Sequence, residues 1–386
     1  MREQKIKSEL NEQFLILYCL GIIFIVDGHT SQFLSLLNKF IPYYSFHIPL
    51  FSFCSGYFSE KNLSKSFAQL VLHKTKKLLV PFFFWNTFYG FACQLLKAAD
   101  IISFGMPLSF YSLVILPLKR GTGFGFNSPS WYVPSHLIIE LVSYYPAQIL
   151  QRYGQLAHLL YFSITLLACI LAIELAMAGY DVNRGWWVLF DRVAFLLPFY
   201  SAGIIYRKFL EPYDYKSEAM FFLIHYAFTI LYSLFFGSIH GYSLASCSNF
   251  HSVHKPIISA FLGILFWLHI SHLLIPLLKH NAFVFEIGTH TFSIMMHHMT
   301  GFFLLTQIWR FLDFLGYIQG FDISSAKRRL FYIYLPHRNE LFSSLYILFG
   351  LGTSFLIDYL GKTIIKTLKK SVSSTSKTED SFNQTF

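Results

Sequence analysis

Charged side chains are scarce in this sequence. Asp, Glu, Lys and Arg make up 13% of the 386 residues, whereas hydrophobic residues make up 54%. A soluble domain usually carries about 25% charged residues, which cover its surface with groups that water solvates. The composition therefore excludes an ordinary water-soluble globular protein and favours one whose surface faces lipid.

Cysteine is also sparse, and no two of the five cysteines form a CxxC pair. This spacing argues against a disulfide framework and against a cysteine-based metal site, so we expect the cysteines to pack in the interior. No small-residue cleavage site precedes the region of His29, so the sequence does not predict a cleaved signal peptide.

Long apolar runs, in contrast, are abundant. A helix needs about 20 apolar residues to cross a bilayer. We predict an all-α polytopic transmembrane bundle of about ten spans within one domain, residues 1–370. A polar Ser/Thr-rich segment, 371–386, follows as a disordered cytoplasmic tail. The predicted spans are 13–29, 43–58, 77–97, 131–150, 156–178, 186–206, 218–237, 256–276, 290–312 and 341–362.

The segment 102–118 is apolar but interrupted by Gly105, Pro107 and Pro117. We predict that it is re-entrant or interfacial and does not span. With ten spans, both termini lie on one side, and most Lys and Arg residues outside the spans fall on that side. Because positively charged loops stay in the cytoplasm, we predict a multi-pass cell-membrane protein with both termini cytoplasmic.

Ionisable residues inside the spans are the first candidates for function, because they are costly to bury in lipid. By position along their helices, His29 and His47 lie near the outer surface, and Glu140 and His298 lie near the middle. We expect these groups to converge on a cavity in the outer half of the bundle. A neutral imidazole beside a carboxylate there can act as a general base. Three other histidines are expected to hydrogen-bond a neighbouring helix instead: His225, His269 and His272.

Several stretches, in order along the chain, resemble the membrane acyltransferases of the acyltransferase-3 superfamily. Within it, the fucose 4-O-acetylase-like branch is the most similar. Each stretch is short, but their succession covers about residues 14–300. The stretches are Ile22 to His29, the second-helix segment His47 to Phe58, Lys74 to Phe82, Trp131 to Pro134, Phe195 to Lys208, and Ser293 to His298.

The resemblance implies transfer of an acyl group, usually acetyl from acetyl-CoA, to a hydroxyl of an extracytoplasmic glycan. Its first-helix histidine matches His29, and its basic run, which faces the cytoplasmic donor, matches Lys74, Lys76 and Lys77. Many members have Arg or Lys eleven residues before the histidine, whereas this chain has Tyr18. This departure leaves open an altered donor or a weakened activity.

We therefore predict an O-acyltransferase that uses acetyl-CoA as co-substrate, has a surface carbohydrate as acceptor, and needs neither a metal nor nucleic acid. The lysines would bind CoA phosphates, although setting topology and binding anionic lipid are equally good explanations. Trp131 and Arg192 are predicted to bind the acceptor. The alternatives are that Trp131 anchors the protein at the membrane interface and that Arg192 has a structural role. The predicted catalytic residues are His29, His47, Glu140 and His298.

Two other functions remain open from the sequence. A transporter or flippase for a glycan or small solute would also use buried charges and an interrupted segment such as 102–118. No internal repeat is visible, which argues against that reading. An accessory protein of polysaccharide assembly is the third possibility. For the transferase, His29 would act either as a base or as a transient acyl carrier.

Overall fold

The structure is a computed structural model, and it describes residues 2–30, 34, 41–179, 186–214, 217–239 and 241–383. The described residues form an all-α bundle without a β-strand, which confirms the predicted fold class. Each of the ten predicted spans overlaps at least one helix, and the span 131–150 is divided into two helices at Ser143. The helices are α1 (Arg2–Gly28), α2 (His47–Tyr57), α3 (Phe67–Ala98), α4 (Tyr132–Val142), α5 (Tyr144–Leu150), α6 (Gln155–Met177), α7 (Trp187–Tyr213), α8 (Glu218–Phe236), α9 (His254–Leu273), α10 (Thr291–Phe314) and α11 (Ser343–Asn383).

Six of the described helices are long and apolar enough to cross a membrane, namely α3, α6, α7, α8, α9 and the first part of α11. Two of them, α6 and α8, are largely exposed on the bundle surface and present Leu and Phe side chains, as a lipid-facing helix should. The other helices at predicted spans are shorter or more polar: α2 has 11 residues, and α1 and α10 contain buried ionisable groups. These polar helices build the interior of the bundle.

The third helix begins at Phe67, ten residues before the predicted start of its span. Ser66 caps it through a reciprocal capping box with Gln69, which fixes the first turn. A π-helical turn over Thr75–Leu79 follows, so the basic run lies inside the helix and not in the preceding loop. This placement turns some of the lysines toward the interior of the bundle.

The segment 102–118 does not cross the bundle. Its helical part, Tyr111–Ile115 followed by Leu116–Lys119, is about 14 Å long, whereas a hydrocarbon core is about 30 Å thick. Asn86 of α3 donates its side-chain amide to the carbonyl of Leu113 at 2.9 Å and so fixes this excursion to the bundle.

Loop contacts divide the bundle into two faces. On the face where α1 begins, which we call the N-terminal face, the Tyr57 hydroxyl donates to Glu211 at 2.5 Å and the Tyr144 hydroxyl donates to the carbonyl of Lys65 at 2.5 Å. On the opposite face, which we call the His29 face, the Tyr242 hydroxyl donates to the carbonyl of Ser45 at 2.8 Å. Successive spans of the chain begin alternately at one face and at the other, and α4 and α5 together make up one such span.

Helix α1 lies at the centre and packs against α2, α9, α10 and α11. Its residues contribute to two hydrophobic clusters, one built with α2, α7 and α9 and the other with α3, α10 and α11. Helices α2 and α7 approach each other most closely through Gly56 and Gly203. A Cβ atom on either glycine would overlap a backbone carbonyl oxygen of the facing helix. Only glycine therefore permits this helix pair, as in other close membrane-helix contacts.

Helix α11 continues to Asn383 and includes most of the predicted tail. The side chains after Thr367, and residues 384–386 altogether, lie outside the described residues. A separate disordered tail therefore remains a prediction.

Candidate active site

One cavity of about 550 Å³ runs along α1 from the N-terminal face to the His29 face. Three residues of α1 line it, namely Tyr18, Ile22 and Ile25, and so does His29, which directly follows the helix. Their spacing of four, three and four places them on one side of the helix. Because a helix rises 1.5 Å per residue, Tyr18 and His29 are about 16 Å apart along the cavity wall. The two isoleucines between them form an apolar middle section.

His29 directly follows the last residue of α1, Gly28, and lines the cavity. The ring stacks on His298 of α10 with 5.3 Å between centroids and contacts Phe331 at 5.6 Å. His298 is fully buried and its Nδ1 lies 2.7 Å from the carbonyl oxygen of Ile294. Because a carbonyl only accepts, Nδ1 carries the proton and Nε2 keeps a lone pair. This Nε2 has no hydrogen-bond partner among the described residues.

His47 begins α2 on the same face and lines the cavity. Its Nδ1 lies 2.5 Å from the carbonyl oxygen of Tyr43, so its Nε2 also keeps a lone pair. Asp27 holds this region in place, since its carboxylate accepts the Tyr43 hydroxyl at 2.7 Å. Asp27 therefore supports the loop before His47, whereas His29, two residues further on, faces the cavity.

Trp131 lines the cavity on the His29 face, near Tyr44 and Tyr242. The guanidinium of Arg192 lies 4.5 Å from the centre of the indole, behind it as seen from the cavity. Arg192 itself is not among the residues that line the cavity. Its predicted role in binding the acceptor directly therefore has no contact in the structure to support it, although a role through Trp131 does.

Glu140 lies at the opposite end of the cavity from the histidine pair. Its carboxylate oxygens Oε1 and Oε2 lie 2.6 and 2.5 Å from Nζ of Lys74, and Oε1 is also 3.7 Å from Nε2 of His136. Tyr18 is within electrostatic range of the same carboxylate. The structure thus places His29 and His47 on the cavity, as predicted by position, whereas His298 packs on His29 without lining the cavity and Glu140 pairs with a lysine and not with these imidazoles.

The basic run divides according to helical position. Lys74 and Lys77, three residues apart, line the cavity, whereas Lys76 does not. The sequence analysis missed two further lysines, Lys61 and Lys65, which line the same end from the loop before α3. Their proximity to the run along the chain was the available signal. The result is an end of the cavity with four lysines around one carboxylate.

Three other histidines hydrogen-bond neighbouring helices; His225 and His269 are buried and His272 is partly exposed. His225 bonds the carbonyl of Leu262 on α9 at 3.0 Å, and His269 and His272 both bond Glu218 at the start of α8. These three therefore hydrogen-bond a neighbouring helix, as predicted. In the described part of the chain, no group of three or more His, Cys, Asp or Glu side chains is arranged to hold a metal ion.

Residues 16–360 match the family described as an acyltransferase domain, which is the acyltransferase-3 family. The match covers most of the chain, and the chain belongs to this family of membrane acyltransferases. No curated protein and no solved structure matches the chain. The predicted superfamily is confirmed, whereas the fucose 4-O-acetylase-like branch remains a prediction.

Proposed function

We propose that this acyltransferase is an O-acetyltransferase that moves an acetyl group from cytoplasmic acetyl-CoA to a hydroxyl of an extracytoplasmic glycan. The observation that supports the proposal best is one cavity that has four lysines at one end and His29 and His47 at the other. We place the N-terminal face in the cytoplasm of a cell-membrane protein, because its loops carry the basic residues.

The lysine-rich end suits the donor. CoA carries several phosphate charges, and Lys61, Lys65, Lys74 and Lys77 surround the cavity opening on the N-terminal face. Charge-assisted contacts between ammonium groups and phosphate are strong and need no fixed geometry. An extended thioester arm entering here would run along Ile22 and Ile25 toward His29. The apolar walls would keep water from the thioester and so limit its hydrolysis.

The histidine-rich end suits the acceptor. A sugar hydroxyl is too weak an acid to attack a thioester unaided at neutral pH. In our proposal, a His29 ring nitrogen takes the hydroxyl proton as the oxygen bonds to the acyl carbon. The carbon–sulfur bond breaks, and the departing CoA thiolate receives that proton from the imidazolium. The products are the glycan ester and free CoA, and His29 returns to its neutral form.

His47 and His298 would assist from fixed tautomers. The free Nε2 of His47 faces a hydroxyl bound in the cavity and would accept its hydrogen bond, which orients the acceptor. His298 packs against the ring of His29 and would hold its orientation. Because the cavity is continuous, the acyl group needs no carrier to reach the acceptor. We therefore favour direct transfer over an acyl-histidine relay.

The test is a transfer assay with purified protein in detergent, acetyl-CoA, and a panel of free sugars and oligosaccharides that includes fucosides. We expect free CoA thiol to appear in step with an acetylated sugar detected by mass spectrometry. Release of CoA without any sugar ester would overturn the proposed acceptor class. In reconstituted vesicles, sugar movement without thioester consumption would instead support the transporter hypothesis. A covalent acetyl group trapped on His29 would overturn direct transfer.

A further inference from the structure

Arg192 is an ionisable residue that the proposed reaction does not use. It lies on α7 toward the His29 face, and 2% of its surface is exposed. Burying a guanidinium is costly unless its donors find acceptors. Its donors reach backbone carbonyls of two separate loops: Nη2 bonds the carbonyl of Arg120 at 2.8 Å and that of Ala245, and Nε lies 3.4 Å from that of Leu244.

The same guanidinium lies over the ring of Trp131, the residue directly before α4. Its contacts therefore join the turn at Arg120 and the indole of Trp131, which are eleven residues apart, to the loop at 244–245, which is more than a hundred residues further along the chain. Trp131, Leu244 and Ala245 all line the cavity, and Arg192 lies directly behind them. One buried side chain thus contacts both Trp131 and the 244–245 loop in the cavity wall at the His29 face.

The planar fork of arginine suits this arrangement and lysine does not. Arginine offers five donors in fixed directions and stacks on an aromatic face while it donates in its own plane. Lysine has the same charge but a single ammonium group, which cannot reach carbonyls on two loops and also cover the indole. In the lysine variant, the carbonyl oxygens left without a donor would hydrogen-bond to water, and the loops would separate.

We propose that Arg192 is a positioning residue that assembles the acceptor end of the cavity by holding the Arg120 turn, Trp131 and the 244–245 loop together. The inference rests on the proposed function only in naming this end the acceptor end. Arg192 does not touch the acceptor itself, and its loss affects acceptor binding through the wall that it holds.

Cys247 provides a readout that does not depend on activity. It lies in the loop that Arg192 holds, 3% of its surface is exposed, and burial raises its pKa to about 12. The thiol is therefore inert in the parent protein. A single-thiol background leaves it as the only target for a maleimide on purified protein. The residues replaced by Ala in that background are Cys19, Cys54, Cys93 and Cys169.

Arg207 is the matched control. It lies on the same helix, α7, but at the N-terminal face. Its guanidinium lies 4.9 Å from the ring centre of Tyr57 and donates a hydrogen bond to Glu211 at 2.9 Å. We expect R192K to raise the labelling rate of Cys247 about tenfold or more, since each lost hydrogen bond to a charged group is worth about that factor. R207K preserves charge in the same way and should leave the rate near that of the parent. Equal labelling of parent and R192K would overturn the proposal.

Kinetics with the acetylated sugar separate this inference from the proposed function. R192K should raise the KM for the acceptor about tenfold while the KM for acetyl-CoA stays within about twofold. A rise in the donor KM alone would overturn the positioning role. If Cys247 becomes reactive in R192K but the parent protein has no transferase activity, the structural role of Arg192 is supported and the proposed function is overturned.

A second variant covers the case in which no Arg192 variant folds. Trp131→Leu removes the ring but leaves the carbonyl contacts of Arg192 in place. It should raise the acceptor KM while Cys247 stays protected. An unchanged acceptor KM in W131L would overturn the proposal by itself, because the indole is the part of the assembled wall that faces the cavity.

Discussion

The N-terminal end of the cavity and its His29 end differ in the kind of polar group that they contain. At the first, four lysines surround the Glu140 carboxylate, Lys74 forms an ion pair with it, and two histidines, His73 and His136, lie beside them. At the second, the polar groups are imidazoles and tyrosine hydroxyls, with indole beside them. About 16 Å of mostly apolar wall separates the two ends along α1.

This difference shows how one cavity can serve two substrates with opposite needs. Phosphate groups are bound best by fixed positive charge. A general base must instead be neutral at the start of the reaction, and a nearby lysine would oppose the positive charge that it gains. Placing the lysines and His29 at opposite ends satisfies both requirements. The predictions below test whether the two ends are as separate as the geometry indicates.

The largest effect is expected from His29→Ala at the histidine end. Loss of a positioned base typically lowers the rate by about 10²–10⁴, and both KM values should change little. The measurement is kcat for acetyl transfer by purified protein. His225→Ala is the matched control, since His225 is a buried histidine bonded to Leu262 and away from the cavity lining. A His29→Ala protein that keeps about a tenth of the parent rate, a smaller loss than base removal causes, would assign the base to another residue.

Glu140→Gln tests the lysine end. It leaves Lys74 without its counter-charge in a site where 13% of that lysine side chain is exposed. Breaking such a pair costs up to about 3 kcal/mol of stability, which should appear as a lower unfolding temperature in detergent. The pH profile of kcat should keep its shape, because Glu140 is remote from His29. A shifted pH profile with unchanged stability would instead support the predicted catalytic role of Glu140.

Two neighbouring lysines give a sharper test of donor binding. Lys77 lines the cavity and Lys76 does not, although both belong to the same π-helical turn. Lys77→Gln should raise the KM for acetyl-CoA about tenfold, the value of one charged hydrogen bond, and leave the acceptor KM unchanged. Lys76→Gln also removes one positive charge from the N-terminal face of the bundle, and we expect its KM values to equal those of the parent. Equal effects of the two variants would assign the run to topology or lipid binding.

His47→Ala should have a smaller effect than His29→Ala. Its Nε2 is proposed to orient the acceptor, so the acceptor KM should rise by about the value of one hydrogen bond, roughly fivefold. His47→Gln, whose amide can still accept, should recover part of the loss. If the donor KM rises instead, the two ends of the cavity are not functionally separate.

Two reporter cysteines test the orientation of the protein in the membrane, and neither is expected to change its activity. Ser64→Cys lies on the N-terminal face and Ser246→Cys on the His29 face, and both positions are exposed. In a cysteine-free background in intact cells, a membrane-impermeant maleimide should label the second and not the first. The reverse result would place the lysine end outside, away from cytoplasmic acetyl-CoA.

The sequence predicted much of the architecture, because a membrane imposes simple rules. A helix that crosses lipid must end near a lipid boundary, and its backbone groups must bond within the helix. The apolar runs therefore predicted ten spans, and Gly105 and the prolines predicted the interrupted segment. The start of the third helix was missed by ten residues. Its first turns, from Phe67, are amphipathic and capped, and hydropathy alone does not detect them.

The site was predicted in part. His29 and His47 followed from their positions near the ends of adjacent helices, and the three-residue spacing of Lys74 and Lys77 was already visible. Glu140 was expected beside the imidazoles, because its position in a 20-residue predicted span placed it near the middle of the membrane. The helix α4 ends at Val142, so Glu140 lies in its last turn, toward the N-terminal face. At that depth its neighbour is Lys74.

The sequence by itself determined the class of protein, the family and the chemical groups available for transfer, because composition, apolar periodicity and ordered motifs are properties of the chain read in one dimension. Only the tertiary structure decided which of those groups share a cavity. Arg192 shows the reason. Its partners near Arg120, Trp131 and 244–245 lie up to about seventy residues away and include backbone carbonyls, which every residue has and no sequence pattern distinguishes.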